Sequence, residues 1–255
     1  MKVKRLLFAY LFFVFAGLLA GLGACSSSDE DANEGLSVKF SHKANGRQLK
    51  KGSMEYENKK GEAFEVENLK YYVSDFSFTT SSGNVSNLDT VLYIDINKAE
   101  TLKARSFPQV QLNDPVTKVA FTFGLDDERN TENGLGRPFN SDDQKMIWPM
   151  PMGGGYHYMK IEGRYKSSDG QNKPYNTHTG RLKKDDTLTS HFFRVNLEMP
   201  KGGGDLELVM NVEKWYESPN LYSFDYFGKA IMNNLEAQRF LKENGHDVFE
   251  LKIAE

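Results

Sequence analysis

Alternation of apolar and polar residues with a period of two is the feature that most limits the fold of this chain. Leu36, Val38, Phe40 and His42 fall on one side of a strand, and the residues between them are polar. Turn residues such as Gly, Asn, Asp and Pro separate the runs. The pattern predicts an all-β fold, an antiparallel β-sandwich with long loops. The further predicted strands are 64–66, 71–78, 91–96, 118–123, 156–163, 191–199 and 206–212.

Two segments depart from this period. Residues 233–243 have an approximately helical apolar face, Asn233 or Asn234 as the cap and Asn244-Gly245 as the stop, which predicts a short C-terminal helix. Residues 126–155 predict a long loop without secondary structure of its own. Loops of that length are uncommon in a compact domain and often carry function.

The N-terminus predicts a signal peptide over residues 1–24. Lys2, Lys4 and Arg5 precede an apolar run that ends in Leu22-Gly23-Ala24-Cys25. This ending resembles a bacterial lipoprotein signal, in which Cys25 receives the lipid, and it predicts a lipid anchor in the outer membrane of a cell envelope. The alternative is a plain membrane anchor, because the run is near the lower limit of a spanning helix.

Residues 25–35 predict a disordered acidic tether, and residues 36–255 predict one folded domain. The tract Asp29-Glu30-Asp31 resembles the surface-export signal of some bacterial lipoproteins, with an ordinary linker as the alternative. The formal net charge of −3 becomes more negative when the basic leader is removed. With no stripe of cations and aromatics to offset it, this charge excludes general nucleic-acid binding.

Motifs of nucleophilic, metallopeptidase and nucleotide-binding sites are absent from the sequence, so we expect a protein that is not an enzyme. The carboxylates Asp126, Asp127 and Glu128 are interpreted as a solvated surface, with a hard-cation site or a hydrolase as weaker alternatives. Cys25 is the only cysteine, so a metal site in the mature chain would need His, carboxylate, Met or backbone ligands.

Histidines and methionines carry the strongest indication of metal chemistry. His42 and His191 are in phase with apolar neighbours, and His157 lies between two tyrosines. Imidazoles together with thioethers favour copper. The alternative is that the histidines are hydrogen-bonded core residues and the methionines fill gaps in the core. Four methionines cluster around Trp148: Met146, Met150, Met152 and Met159.

The order of several short motifs resembles the MbnP-like family, which includes the copper proteins of methane-oxidising bacteria. The resemblance spans about residues 36–250 and rests on the motifs in combination, since each alone is weak. They are 40–42 (FSH), 69–75 (LKYYVSD), 119–126 (VAFTFGLD), 146–148 (MIW), 155–163 (GYHYMKIEG), 178–180 (HTG) and 244–249 (NGHDVF).

The resemblance implies a β-sandwich with a mononuclear copper site. In that family the site uses imidazoles and an oxidised tryptophan, kynurenine, which a partner di-haem enzyme related to cytochrome c peroxidases produces. By motif, His42, His178 and Trp148 occupy the corresponding positions. This chain departs from the family pattern in two ways: Met150 or Met152 replaces a second tryptophan, and His157 is an additional candidate ligand.

The leading hypothesis is therefore a lipid-anchored envelope protein that binds copper for capture or storage. Its predicted metal ligands are His42, His178, Trp148, His157, Met150 and Met152. The alternative is a β-sandwich that binds a glycan or a protein through exposed aromatic rings, its histidines being structural. The rings considered for that role are Trp215, Tyr216, Tyr222 and Tyr226.

Overall fold

A computed structural model describes residues 35–110, 114–184, 186–200 and 204–254. The predicted signal peptide, Cys25 and the tether up to residue 34 lie outside the described residues. Residues Asn33–Glu255 form one compact unit. No helix in the described parts of the chain combines the length and the apolar character needed to span a bilayer.

The secondary structure is dominated by strands, as predicted, and the four α-helices are short. The strands are β1 (Leu36–Ala44), β2 (Arg47–Gln48), β3 (Tyr56–Glu57), β4 (Ala63–Phe64), β5 (Asn68–Thr80), β6 (Val85–Asp95), β7 (Arg105–Phe107), β8 (Val116–Phe123), β9 (Met159–Lys166), β10 (Asn172–Thr179), β11 (Leu182–Lys184), β12 (Thr187–Thr189), β13 (Phe193–Glu198), β14 (Leu206–Asn211) and β15 (Phe249–Ile253). The helices are α1 (Ala99–Leu102), α2 (Ser141–Gln144), α3 (Phe224–Phe227) and α4 (Leu235–Asn244), with 3₁₀ turns at Met150–Met152, Val212–Tyr216 and Gly245–Asp247.

Two main sheets form the sandwich. One follows the order β13-β8-β5-β9-β4-β3, with β10 added beside β9 and β6 beside β5. The other follows the order β15-β14-β1-β2, with β7 beside β1, and β11 and β12 form a separate hairpin. Among the described strands, β1 and β14 pair in parallel and the other pairs are antiparallel. The predicted sandwich is thus confirmed, with one parallel pair that the sequence pattern did not predict.

Aromatic rings fill the space between the two sheets. Phe249 of β15 meets the edge of Phe121 of β8, with the ring centroids 5.2 Å apart, and it also packs on Tyr71 of β5. Edge-to-face contacts of this kind add to the free energy of burying the rings. In β1 every second residue is buried, so the period of two in the sequence reports the inner face directly.

The predicted C-terminal helix is confirmed as α4. The Asn234 side chain accepts a hydrogen bond from the Ala237 backbone N–H, and Ala237 and Leu241 are buried. Strand β9 begins at Met159, three residues later than predicted, so Tyr156 and His157 belong to the preceding loop.

The long loop contains one short helix and is fixed to the sheet by a buried ion pair. At the start of α2, Asn140 and Asp143 form a capping box. Asp143 is fully buried and accepts hydrogen bonds from both terminal nitrogens of Arg137 and from the Tyr72 hydroxyl, each at 2.7 Å. These charge-assisted bonds hold the loop at the start of β9.

Candidate metal centre

Three of the predicted site residues meet where the long loop enters β9. The His157 ring lies between the other two rings: its centroid is 4.7 Å from that of Trp148 and 5.1 Å from that of His178. Both contacts are nearly perpendicular, at 81° and 86°. We call Trp148, His157 and His178 the ring cluster.

Backbone hydrogen bonds and one glycine fix the position of Trp148. Its indole N–H donates to the Met152 carbonyl at 3.1 Å, and its backbone N–H donates to the Gly155 carbonyl at 2.8 Å. The indole ring packs directly on Gly180, where an added Cβ would lie 2.6 Å from ring carbons. Any larger residue at position 180 would displace the ring, which gives the Gly of the His-Thr-Gly motif a structural reason.

His157 is buried and uses only one of its ring nitrogens. Nδ1 lies 3.1 Å from the Met146 carbonyl, to which it donates, and the backbone N–H of His157 donates to the same oxygen. Because Nδ1 carries the proton, Nε2 keeps a free lone pair. Nε2 is buried and has no hydrogen-bond partner among the described residues. Burial, with the neighbouring His178, lowers the pKa of His157 from 6.5 to about 3, so the imidazole is neutral.

A carboxylate orients His178. Its Nε2 lies 2.9 Å from Oε1 of Glu162, and the Lys160 ammonium lies 3.5 Å from the same oxygen. The hydrogen bond with His178, together with the charge of Lys160, lowers the pKa of Glu162 to about 2, so the carboxylate is ionised. A carboxylate bound to the far nitrogen of an imidazole is a common arrangement behind metal-binding histidines.

His42 lies against the opposite face of the same sheet. His178 pairs with Lys160 of β9, and Lys160 pairs with Lys70 of β5, so these three side chains share one face. Tyr71 is the next residue of β5 and therefore points to the other face. The His42 Nε2 is hydrogen-bonded to the Tyr71 hydroxyl at 3.1 Å, in the core. The structure thus brings His178 together with His157 and not with His42.

The methionines around Trp148 contribute mainly through their backbone. The carbonyl of Met146 binds His157 and that of Met152 binds the indole, while Met159 lies in the core. The Met150 side chain is 78% exposed on the 3₁₀ turn that follows Trp148. No group of three or more His, Cys, Asp and Glu side chains suited to a metal ion occurs within the described residues.

The carboxylates of the long loop have structural roles. Asp126 accepts a hydrogen bond from the Arg129 backbone N–H at 2.8 Å. Asp127 accepts from the Ser190 hydroxyl and pairs with Arg181 at 3.2 Å. These contacts fasten the loop at the surface, in agreement with the interpretation of these residues as surface carboxylates.

The aromatic residues considered for a glycan-binding face are mostly interior. Trp215, Tyr216 and Tyr222 are at most 1% exposed, whereas Tyr226 is 72% exposed. The prediction that these four rings form an exposed stacking platform is therefore wrong. The 3₁₀ turn Val212–Tyr216 is too short for a sequence period to show which side is buried.

Sequence reasoning missed Glu162 and Gly180, although both lie in motifs that it singled out. Glu162 is two residues from Lys160, so the period of two places them on one face, and the antiparallel partner of Lys160 is His178. The pairing of β9 with β10 was the missing information. Gly180 follows His178-Thr179 directly, but the ring that requires it is 32 positions earlier in the sequence.

Comparisons with known proteins agree on one family. A sequence model of the MbnP family matches residues 33–233. The structure is similar to that of MbnP from Methylosinus trichosporium, with a TM-score of 0.54 and 14% sequence identity, over 86% of this chain and 98% of that one. At that identity the structural likeness establishes the fold. No curated protein sequence matches this chain significantly.

Proposed function

This chain belongs to the MbnP family, and on that premise we propose that it is a copper-binding protein, not an enzyme, that captures or stores the metal. The ring cluster is the proposed site. His157 and His178 supply the imidazole ligands, and Trp148, native or oxidised, completes or covers the site. The thioethers of Met150 and Met152, on the turn that follows Trp148, are proposed as supplementary ligands.

The unused Nε2 of His157 is the observation that carries the proposal. A buried polar nitrogen without a partner costs about 1–3 kcal/mol, and such groups are rare in folded proteins. A neutral imidazole with a free lone pair is the form that binds a metal ion. Bound copper would use this nitrogen and remove the cost.

His178 complements His157 in the same environment. Because its Nε2 is hydrogen-bonded to Glu162, it would bind the metal through Nδ1. The ionised Glu162 would make the imidazole a stronger donor and fix its orientation. His42 is left out of the proposed site, since it lies on the other face of the sheet and its Nε2 is already bonded to Tyr71.

Copper titration tests the proposal. Residues 26–255 should bind one copper ion, and replacing His157 or His178 by Ala should weaken binding by more than about 100-fold, since each removes a primary ligand. His246→Ala is the matched control, because His246 is exposed and outside the ring cluster. Equal copper affinity of the wild type and the His157→Ala/His178→Ala double variant would refute the site.

We also propose that Trp148 is oxidised to kynurenine when a di-haem partner related to cytochrome c peroxidases is present. The support is the family membership and the location of Trp148 in contact with His157. Mass spectrometry of the tryptic peptide should show the modified residue after co-expression with such a partner and the native residue without it. A native Trp148 in both samples would contradict this.

The anchoring proposal concerns residues outside the structure. Lipidation of Cys25 would tether the protein to the outer membrane. Cys25→Ser should abolish labelling by a fatty-acid analogue and release the protein from the membrane fraction. Retention of the variant in membranes after signal cleavage would place the anchor elsewhere.

A further inference from the structure

A groove on the other side of α4 has no role in the copper proposal. It is a cavity of about 1010 Å³ between β13 and α4. Strand β13 ends the larger sheet, so the groove runs beside a sheet edge. The residues His191, Phe193 and Val195 line one wall, and Leu235, Arg239 and Lys242 line the other.

His191 is the unexplained group in this groove. Its side chain is 8% exposed, and both ring nitrogens are buried without a hydrogen-bond partner among the described residues. Burial, with the charge of Lys242, lowers the pKa of His191 to about 4, so the imidazole is neutral and offers one N–H donor and one acceptor. Two unused polar atoms on one buried side chain that lines a cavity indicate a missing hydrogen-bonding ligand.

The charges around the groove favour an anion. Three cationic side chains line it against two carboxylates, although the whole chain is net negative: Arg194, Arg239 and Lys242 against Glu236 and Glu243.

Lys242 is the cation left for a ligand. Arg239 pairs with Glu243 at 3.1 Å, and the Arg194 guanidinium donates to Ser77 at 2.6 Å on the sheet. The Lys242 ammonium donates to the Ser190 carbonyl at 3.3 Å and has no carboxylate partner within the described part of the chain.

We propose that this groove binds a small organic acid with an apolar body. The carboxylate would lie between the Lys242 ammonium and the His191 imidazole, which donates its N–H. The apolar part would pack on Phe193, Val195 and Leu235. A charged donor and a neutral donor on one carboxylate give a stronger interaction than two neutral donors. This proposal does not depend on copper binding.

Calorimetry with matched probes tests it on residues 26–255. The acids are acetate, hexanoate and 4-phenylbutyrate, and the neutral control is 4-phenylbutanamide. We expect affinity to rise with the apolar body and the amide to bind at least about tenfold more weakly than its acid, because it lacks the charge-assisted bond. Binding of none of the acids, or equal binding of acid and amide, would overturn the proposal.

Variants locate the site. Lys242→Met keeps the aliphatic stem, lies on the exposed side of α4 and should weaken binding of 4-phenylbutyrate by about tenfold. Lys229→Met, an exposed cation outside the groove, is the matched control and should leave binding unchanged. His191→Phe should weaken binding while thermal unfolding reports whether the core is intact. If Lys242→Met binds the acid as well as Lys229→Met does, the groove is not the site.

Discussion

His42 and His157 are both buried imidazoles, and the difference between them shows which feature identifies a candidate ligand. They are 3% and 5% exposed, and burial lowers the pKa of each to about 3. The Nε2 of His42 is hydrogen-bonded to Tyr71, whereas the Nε2 of His157 has no partner in the described residues. Burial and pKa are therefore the same for both, and only the unused nitrogen separates them.

Their neighbours differ in the same sense. Tyr71, which binds His42, packs on Phe123 and Phe249 in the core between the sheets. His157 contacts a second imidazole that is bonded to an ionised carboxylate. The first environment stabilises the fold, and the second provides several groups that a metal ion could use.

The largest expected effect separates the two histidines by copper affinity. His157→Ala should weaken copper binding by more than about 100-fold, whereas His42→Gln should leave it within a few-fold of wild type. Competition with a chromophoric copper chelator measures both. A loss of affinity in His42→Gln as large as that in His157→Ala would show that the two imidazoles act on one metal, and the comparison would fail.

The next effect concerns the carboxylate behind His178. Glu162→Gln keeps the size of the side chain but removes its charge, so copper affinity should fall by about 10-fold to 100-fold. Glu198→Gln, an exposed carboxylate on β13, serves as the control. Unchanged affinity in Glu162→Gln would mean that this carboxylate does not support a metal-binding imidazole.

The third prediction uses pH and the apo-protein. The folded pKa of His42 is about 3 and the ordinary value is 6.5, so between these values the unfolded chain binds a proton that the folded chain does not. The contribution is complete above pH 6.5 and is lost as pH falls toward 3, by about 1.4 kcal/mol per pH unit. Urea unfolding of His42→Gln between pH 6 and 4.5 should show a shallower loss than the wild type. Parallel curves would contradict the assignment.

The smallest effect is that of the hydrogen bond on His42. Tyr71→Phe removes the hydroxyl and leaves the ring packing, so the free energy of unfolding should fall by about 1–3 kcal/mol, because the buried Nε2 then lacks a partner. Copper affinity should not change. A change in copper affinity without a change in stability would invert the roles given to the two faces of the sheet.

The sequence predicted local features better than their combination in space. The period of two correctly placed His42 and its apolar neighbours on the inner face, and the asparagine cap correctly placed α4. Each period defines a face only relative to its own strand. Which face of β10 carries His178, and which residue lies across from it, depends on pairing between strands, and no local pattern encodes that pairing.

The loop illustrates the same limit. Arg137 and Asp143 are close in sequence, yet Tyr72, which completes their buried contact, is 71 positions from Asp143. This contact and the loop that it fixes bring His157 to His178. The motifs around Trp148 and His178 indicated the right residues, but the choice of His157 over His42 as the neighbour of His178 needed the structure.

The parallel pairing of β1 with β14 has a consequence for how the chain reaches its native state. The Ser37 backbone N–H donates to Asp205, 168 residues later, and the ladder runs from Val38–Leu206 to Lys43–Asn211. The first strand to be synthesised therefore has its main neighbour near the end of the chain. Contacts of such long range slow folding, because the entropy of closing a large loop is lost before the pairing compensates for it. During synthesis, β1 must wait without this neighbour until almost the whole polypeptide has emerged.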